Sequence, residues 1–236
     1  MATGVRIYQN MKKIITVLIF AFVAMCAYAQ KDVTQFLGIP VDGSKSEMIQ
    51  KLKAKGFRKS SIADLEGEFN GRKVLIGIVT NENKVWRIAV MDDDFVDETQ
   101  IKIRFNTIFR QFENSPKYIH LFENSCTIPI PEDENLSLEM LLHKKRYEAV
   151  FHQKLQTSEK SINDKCMAEL LTKYTSDQIG NPTDAIRDEI VELSKKYLME
   201  EYGKRQVWFM IRDYYGKYYI IMFYDNKYNE ANGEDL

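Results

Sequence analysis

Apolar residues along the chain fall into two periods, and the clearest stretch of either lies near the C-terminus. Across residues 205–225, two runs rich in β-branched and aromatic side chains flank a turn containing Gly216, the signature of a β-hairpin. Val207, Phe209 and Ile211 alternate with Trp208 and Met210, so both faces of the first strand are apolar. Such a hairpin is expected at the centre of a sheet and covered on both sides. Upstream, residues 63–69, 74–79 and 84–91 predict three further strands. Asn70-Gly71, a pair favoured in tight hairpins, joins the first two.

The helical period appears elsewhere. Ser44 and Glu47 form a capping box ahead of Met48, Ile49 and Leu52, and Gly56 followed by Phe57 closes that helix. Asp97 is expected to cap a helix reaching Glu113, with Ile101, Phe105, Ile108, Phe109 and Phe112 on one face. Residues 136–143 and 146–155 read as strands, the first with an ambiguous period. Ser158 is expected to cap a helix carrying Ile162, Cys166, Leu170 and Tyr174. Asn181, with Pro182 after it, is expected to start a second one with a seam of Ile186, Ile190, Leu193 and Tyr197, ended by Gly203.

These elements predict an α+β fold, an antiparallel sheet or sheets with amphipathic helices packed on one face. Displacing the sequence by 133 positions superposes the two hairpin regions without a gap. Arg72 falls on Arg205, Val74 on Val207, Ile78 on Ile211, Lys84 on Lys217, Ile88 on Ile221 and Asp92 on Asp225. The match suggests an internal two-fold repeat, with halves at 30–126 and 136–236. Residues 127–135, which hold two prolines and three acids, would be the linker.

The N-terminus changes the compartment. Met11-Lys12-Lys13, the apolar run 14–24 and the small-x-small site Ala27-Tyr28-Ala29 make residues 1–29 a secretory signal peptide, with Gln30 as the mature N-terminus. Residues 1–10 fit no part of such a signal, and a start at Met11 suits it better. Lipidation at Cys26 is the competing reading, although Met25 is not the small residue that usually precedes such a cysteine. The expected location is the periplasm or cell envelope, with no membrane span in the mature chain. A formal net charge of −1 excludes a strong field toward nucleic acid or acidic membranes.

Two segments occur together in a way that is familiar. One is Phe36-Leu37-Gly38-Ile39-Pro40-Val41-Asp42-Gly43, with its helix ending Lys55-Gly56-Phe57. The other is Tyr224-Asp225-Asn226, then Asn229 and Asn232-Gly233-Glu234-Asp235-Leu236. With the signal ending in Ala-Gln, the chain resembles a group of uncharacterised exported proteins of Gram-negative gut anaerobes. The resemblance implies export and brings no activity with it.

Candidate chemistry is sparse. The Gly-containing turn before Ser44 lacks the Lys-Ser/Thr of a phosphate loop. His120, His143 and His152 sit in no nucleophile motif, and pairing of the 136–155 strands keeps His143 and His152 apart, so no metal site is expected. Asp92-Asp93-Asp94 with Asp97 and Glu98 reads as a solvated strand end and helix start. Tyr214, Tyr215 and Tyr218 crowd one turn beside Trp208, and exposed rings there can form a platform for sugars or protein. Cys126 and Cys166 survive signal removal; export permits a disulfide between them, and two buried thiols fit equally.

The expectation is therefore an exported binding or interaction module with an unknown protein or glycan partner, no cofactor and no catalytic motif. A carboxylate-dependent hydrolase of glycoside type is one alternative, using acids near Asp92–Asp97 or Glu66 and Glu68. An envelope structural protein is the other.

Overall fold

The computed structural model describes residues 32–121, 128–154, 160–231 and 233. The signal segment, Cys126 and Ser158 lie outside them. The described residues from Val33 onward form one compact unit.

Its first strands, β1 (Gln35–Phe36) and β2 (Ile39–Pro40), make a small antiparallel pair ahead of α1 (Lys45–Ala54). The capping box at Ser44 and Glu47 is present, and Gly56 closes the helix with φ of 101°. Then follow β3 (Arg58–Lys59), β4 (Leu65–Phe69), β5 (Arg72–Asn81), β6 (Lys84–Asp92), α2 (Glu98–Glu113) and β7 (Tyr118–Ile119). The remaining elements are α3 (Leu136–Leu142), β8 (Glu148–Gln153), α4 (Lys160–Leu170), α5 (Ser176–Gly180), α6 (Asp184–Gly203), β9 (Gln206–Tyr214) and β10 (Lys217–Asp225).

Eight strands make one antiparallel sheet in the order β3-β4-β5-β6-β10-β9-β8-β7, so the α+β expectation holds and both halves share a sheet through the β6–β10 pair. One face carries Val74, Ile76, Ile78, Ile88, Val90, Val207, Phe209, Ile220 and Met222, all buried against α1 and α2. Phe105 and Phe112 of α2 reach Phe209 at 5.0 and 5.7 Å between ring centres. The opposite side, here the outer face, carries Trp208, Ile221 and Phe223, which are only half-buried. The hairpin is central as expected, but its coverage on both sides is corrected. Trp208 has an indole N–H to satisfy, and the outer face leaves it a polar partner in Asp225.

Displaced by 133 residues, β6 falls on β10 with the same limits, and β5 ends where β9 ends but starts one residue earlier. Both turn through two left-handed residues, Glu82-Asn83 and Tyr215-Gly216. The likeness stops there, and a repeat of the halves is not shown. β5 has a bulge at Val79/Thr80 that β9 lacks. Only a tight turn joins β4 to β5, whereas three helices separate β8 from β9.

Three local expectations are corrected. Residues 136–142 are helix, not strand: Asn135 accepts a hydrogen bond from the Leu138 N–H, and Leu136 and Met140 turn to the core one helical turn apart. β8 pairs with β9 instead, which leaves His143 at the end of α3 beside Glu139. Asn181 caps the C-terminus of α5, and Thr183 is the N-cap of α6 because its hydroxyl reaches the Ile186 N–H. Helices α4 and α6 bury Cys166, Leu170 and Leu193 in a small core of their own. Segment 128–135 is docked on α2: Asn106 makes two hydrogen bonds to the Ile130 backbone, and Lys102 donates to the carbonyls of Glu132 and Glu134.

Candidate functional site

The four aromatic candidates do not form one platform. Tyr218 faces the core side of β10 and is 2% exposed, its hydroxyl bonded to Ser137. Tyr214 and Tyr215 are exposed at the hairpin turn; Tyr214 stacks on Phe95 at 4.9 Å and Tyr215 meets Tyr214 edge-on. Trp208 lies on the outer face, stacked on its cross-strand partner Phe223 at 4.3 Å. Its indole N–H donates to Asp225 Oδ2 at 3.0 Å.

Asp225 organises that end of the face. Arg87, opposite it on β6, donates to both carboxylate oxygens at 2.6 and 2.7 Å. The guanidinium carbon sits 4.2 Å from the Trp86 ring centre, 4.7 Å from Phe223 and 5.5 Å from Trp208. Rings and carboxylate hold most of the guanidinium, leaving 21% of the side chain exposed, so the cluster is scaffold. Trp208→Ala is expected to cost about 2–3 kcal/mol, less than a fully buried tryptophan because one side is open. Trp208→Phe, which keeps the stack and loses the N–H, should cost about half as much. Urea denaturation of the two variants measures both losses.

Beyond this cluster β9 outruns its neighbour. The β8 ladder ends at Glu148 opposite Met210, and the last bond across it runs from the Ile211 N–H to the Tyr147 carbonyl. From Arg212 to Tyr214 that edge of β9 pairs with no described strand. A strand edge of this kind presents backbone groups ready to pair. Around it opens a cleft of about 930 Å³, with apolar walls from Met140, Leu141, Trp208, Met210 and Phe223. Its charged lining is Lys144, Lys145, Arg146 and Arg212 against one carboxylate, Asp213. Lys145 pairs with Glu134 and Arg146 with Glu148. Among the described residues Lys144 and Arg212 have no carboxylate partner, so their charge faces the cleft's solvent.

Sequence reasoning named Trp208 and Tyr218, which do line the cleft, and missed the basic run at 144–146, Arg212 and the α3 wall. The missed signal was Asn135 as an N-cap, which places the basic run just past a helix end.

The acids proposed for hydrolysis have structural duties. Asp92 is held by Arg104 at 3.0 and 3.2 Å, and Asp97 caps α2 through the Gln100 N–H. Glu66 and Glu68 do share a hollow with Asp93, but Lys55, Arg58 and Lys73 balance them there and Arg58 binds Glu66 at 2.8 Å. No cluster of three metal-ligating side chains occurs among the described residues. Cys166 is a free, buried thiol 3.4 Å from the Ser194 hydroxyl, and Cys126, its expected partner, lies outside the described residues. No known protein family, curated protein or solved structure matches this chain.

Proposed function

We propose that this chain is an exported binding module, placed in the periplasm or cell envelope, whose cleft takes an extended acidic polypeptide segment. One observation carries the reading: the end of β9, which pairs with no strand among the described residues, forms one side of a cleft that is apolar on its walls and cationic at its rim. An extended peptide adds to such an edge by main-chain hydrogen bonds. Side chains on one face of the peptide then fall toward Trp208, Met210 and Phe223, with Arg212 further along that same face and Lys144 at the rim to meet acidic ones. Among the described residues the cleft offers Asp213 alone as a carboxylate, and Asp213 already accepts from the Gly216 N–H in the turn. Glycoside hydrolysis needs two carboxyl groups, so binding suits this cleft better than hydrolysis.

The test is calorimetric titration with a ten-residue peptide carrying both Glu and Val or Leu on each face, alongside its Lys-for-Glu counterpart. The acidic peptide is expected to bind, and the basic one not. In Lys144→Glu/Arg212→Glu the preference should invert. Equal binding of both peptides, or none by the acidic one, refutes the proposal. An acidic oligosaccharide that binds where the peptide does not would reassign the cleft to glycans.

A further inference from the structure

A second cavity, of about 550 Å³, lies where the turn between β1 and β2 approaches β7 and the ends of β8 and β10. It is chemically one-sided. Lys117, Lys154 and Arg205 line it, and no described lining residue carries a carboxylate. Arg205 is 1% exposed, and its Nη1 donates to the Lys154 carbonyl at 2.7 Å. The Gln153 amide is fixed by the Gln35 backbone, with bonds of 2.7 and 2.6 Å, and its Nε2 lies 3.4 Å from the Tyr118 hydroxyl. Burial raises the Tyr118 and Tyr224 phenols above their usual range, so both stay protonated at neutral pH.

A further observation points to a ligand. Phe69, Ser115, Tyr118 and Tyr224 are shared with an adjoining hollow of about 180 Å³, walled by Phe69, Phe112 and Met222 with Asn70, Gln111 and Ser115 at its polar edge. The cavity is thus cationic at one end and mostly apolar at the other.

We propose that this cavity binds a small organic carboxylate, its charge toward Lys117, Lys154 and the Tyr118 hydroxyl, and its compact apolar or aromatic group toward Phe69 and Met222. This site is separate from the β9 cleft, and neither assignment depends on the other. An anion here gains charge-assisted hydrogen bonds in a partly enclosed space, where they are stronger than in water. The apolar hollow selects against bare oxyanions, which cannot fill it.

The experiment titrates the folded protein with phenylacetate, neutral phenylacetamide and inorganic phosphate, read by calorimetry and by amide chemical shifts. Phenylacetate is expected to bind saturably and shift amides around residues 117–118 and 153–154. Phenylacetamide and phosphate should each bind at least about tenfold more weakly. Lys154→Glu, at an exposed position, should weaken phenylacetate about tenfold or more. Tyr118→Phe should weaken it about tenfold, with an unchanged unfolding midpoint showing that the fold is intact. If Tyr118→Phe unfolds, Lys117→Glu takes its place with the same expectation. The proposal is overturned by any of three results: no saturable phenylacetate binding, equal binding of phenylacetamide, or affinity indifferent to these substitutions. Phosphate binding as tightly as phenylacetate also overturns it, leaving a plain oxyanion site. Titration with the acidic peptide should be unaffected by Lys154→Glu, which keeps the two sites distinct.

Discussion

Asp225→Ala is expected to lower stability by about 3–5 kcal/mol, the cost of leaving a buried charge without its partner. The carboxylate is fully buried, and three side-chain donors converge on it: Arg87 Nε, Arg87 Nη2 and Trp208 Nε1. Removing it strands the guanidinium among Trp86, Phe223 and Trp208. The Asp225 carbonyl also accepts from the Thr34 hydroxyl, but that bond survives the substitution because it uses the backbone. Asp225→Asn keeps one oxygen acceptor and should lose less than the alanine variant. Equilibrium denaturation gives both values; a loss under about 1 kcal/mol for alanine would mean that water replaces the carboxylate.

The second large effect is a loss of stability in mild acid. His152 is 1% exposed, and burial lowers its imidazole to about 4, with like-charge repulsion from His120 adding to the shift. Its unfolded value is near 6.5, so between these limits the unfolded chain binds more protons than the folded one. The contribution of neutral His152 is therefore complete above about pH 6.5 and declines as pH falls toward 4. The decline amounts to about 2 kcal/mol between pH 7 and pH 5. Carboxylates act in a lower window. Burial opposes ionisation of Glu201, yet hydrogen bonds from Lys165, Lys204 and Tyr228 hold it at about 2, so its contribution is lost only as pH falls below about 4.5. Urea midpoints measured between pH 7 and 5 should fall for the wild-type chain and stay nearly level for His152→Gln. An equal slope in both would place the titrating group elsewhere.

Much of the fold was legible because its signals are local. The capping box at Ser44, the Asp97 cap and both turns of left-handed residues sit within four positions of what they control. Helix α3 was not legible: Leu136, Leu138, Met140, Leu141 and Leu142 satisfy a period of two nearly as well as a helical one over so short a run. The cleft was legible only in part. Trp208 and Tyr218 announced themselves as aromatic, but the free edge exists because β8 stops at Glu148, a fact of register between strands about 60 residues apart. Arg87 and Asp225 are 138 positions apart, so no local pattern joins them.

The position of β10 bears on how the chain acquires its structure. Of the strands among the described residues it is made last, yet it lies between β6 and β9 at the middle of the sheet. Until it arrives, β6 and β9 each keep an apolar edge with no neighbour, and α2 has half its bed missing. Sheet closure must then bring β6 and β10 together across more than a hundred residues, a long-range step of the kind that slows folding. A chain in that state keeps its sheet open until β10 has been made. This makes the half-finished chain the form most exposed to edge-to-edge aggregation and to proteases.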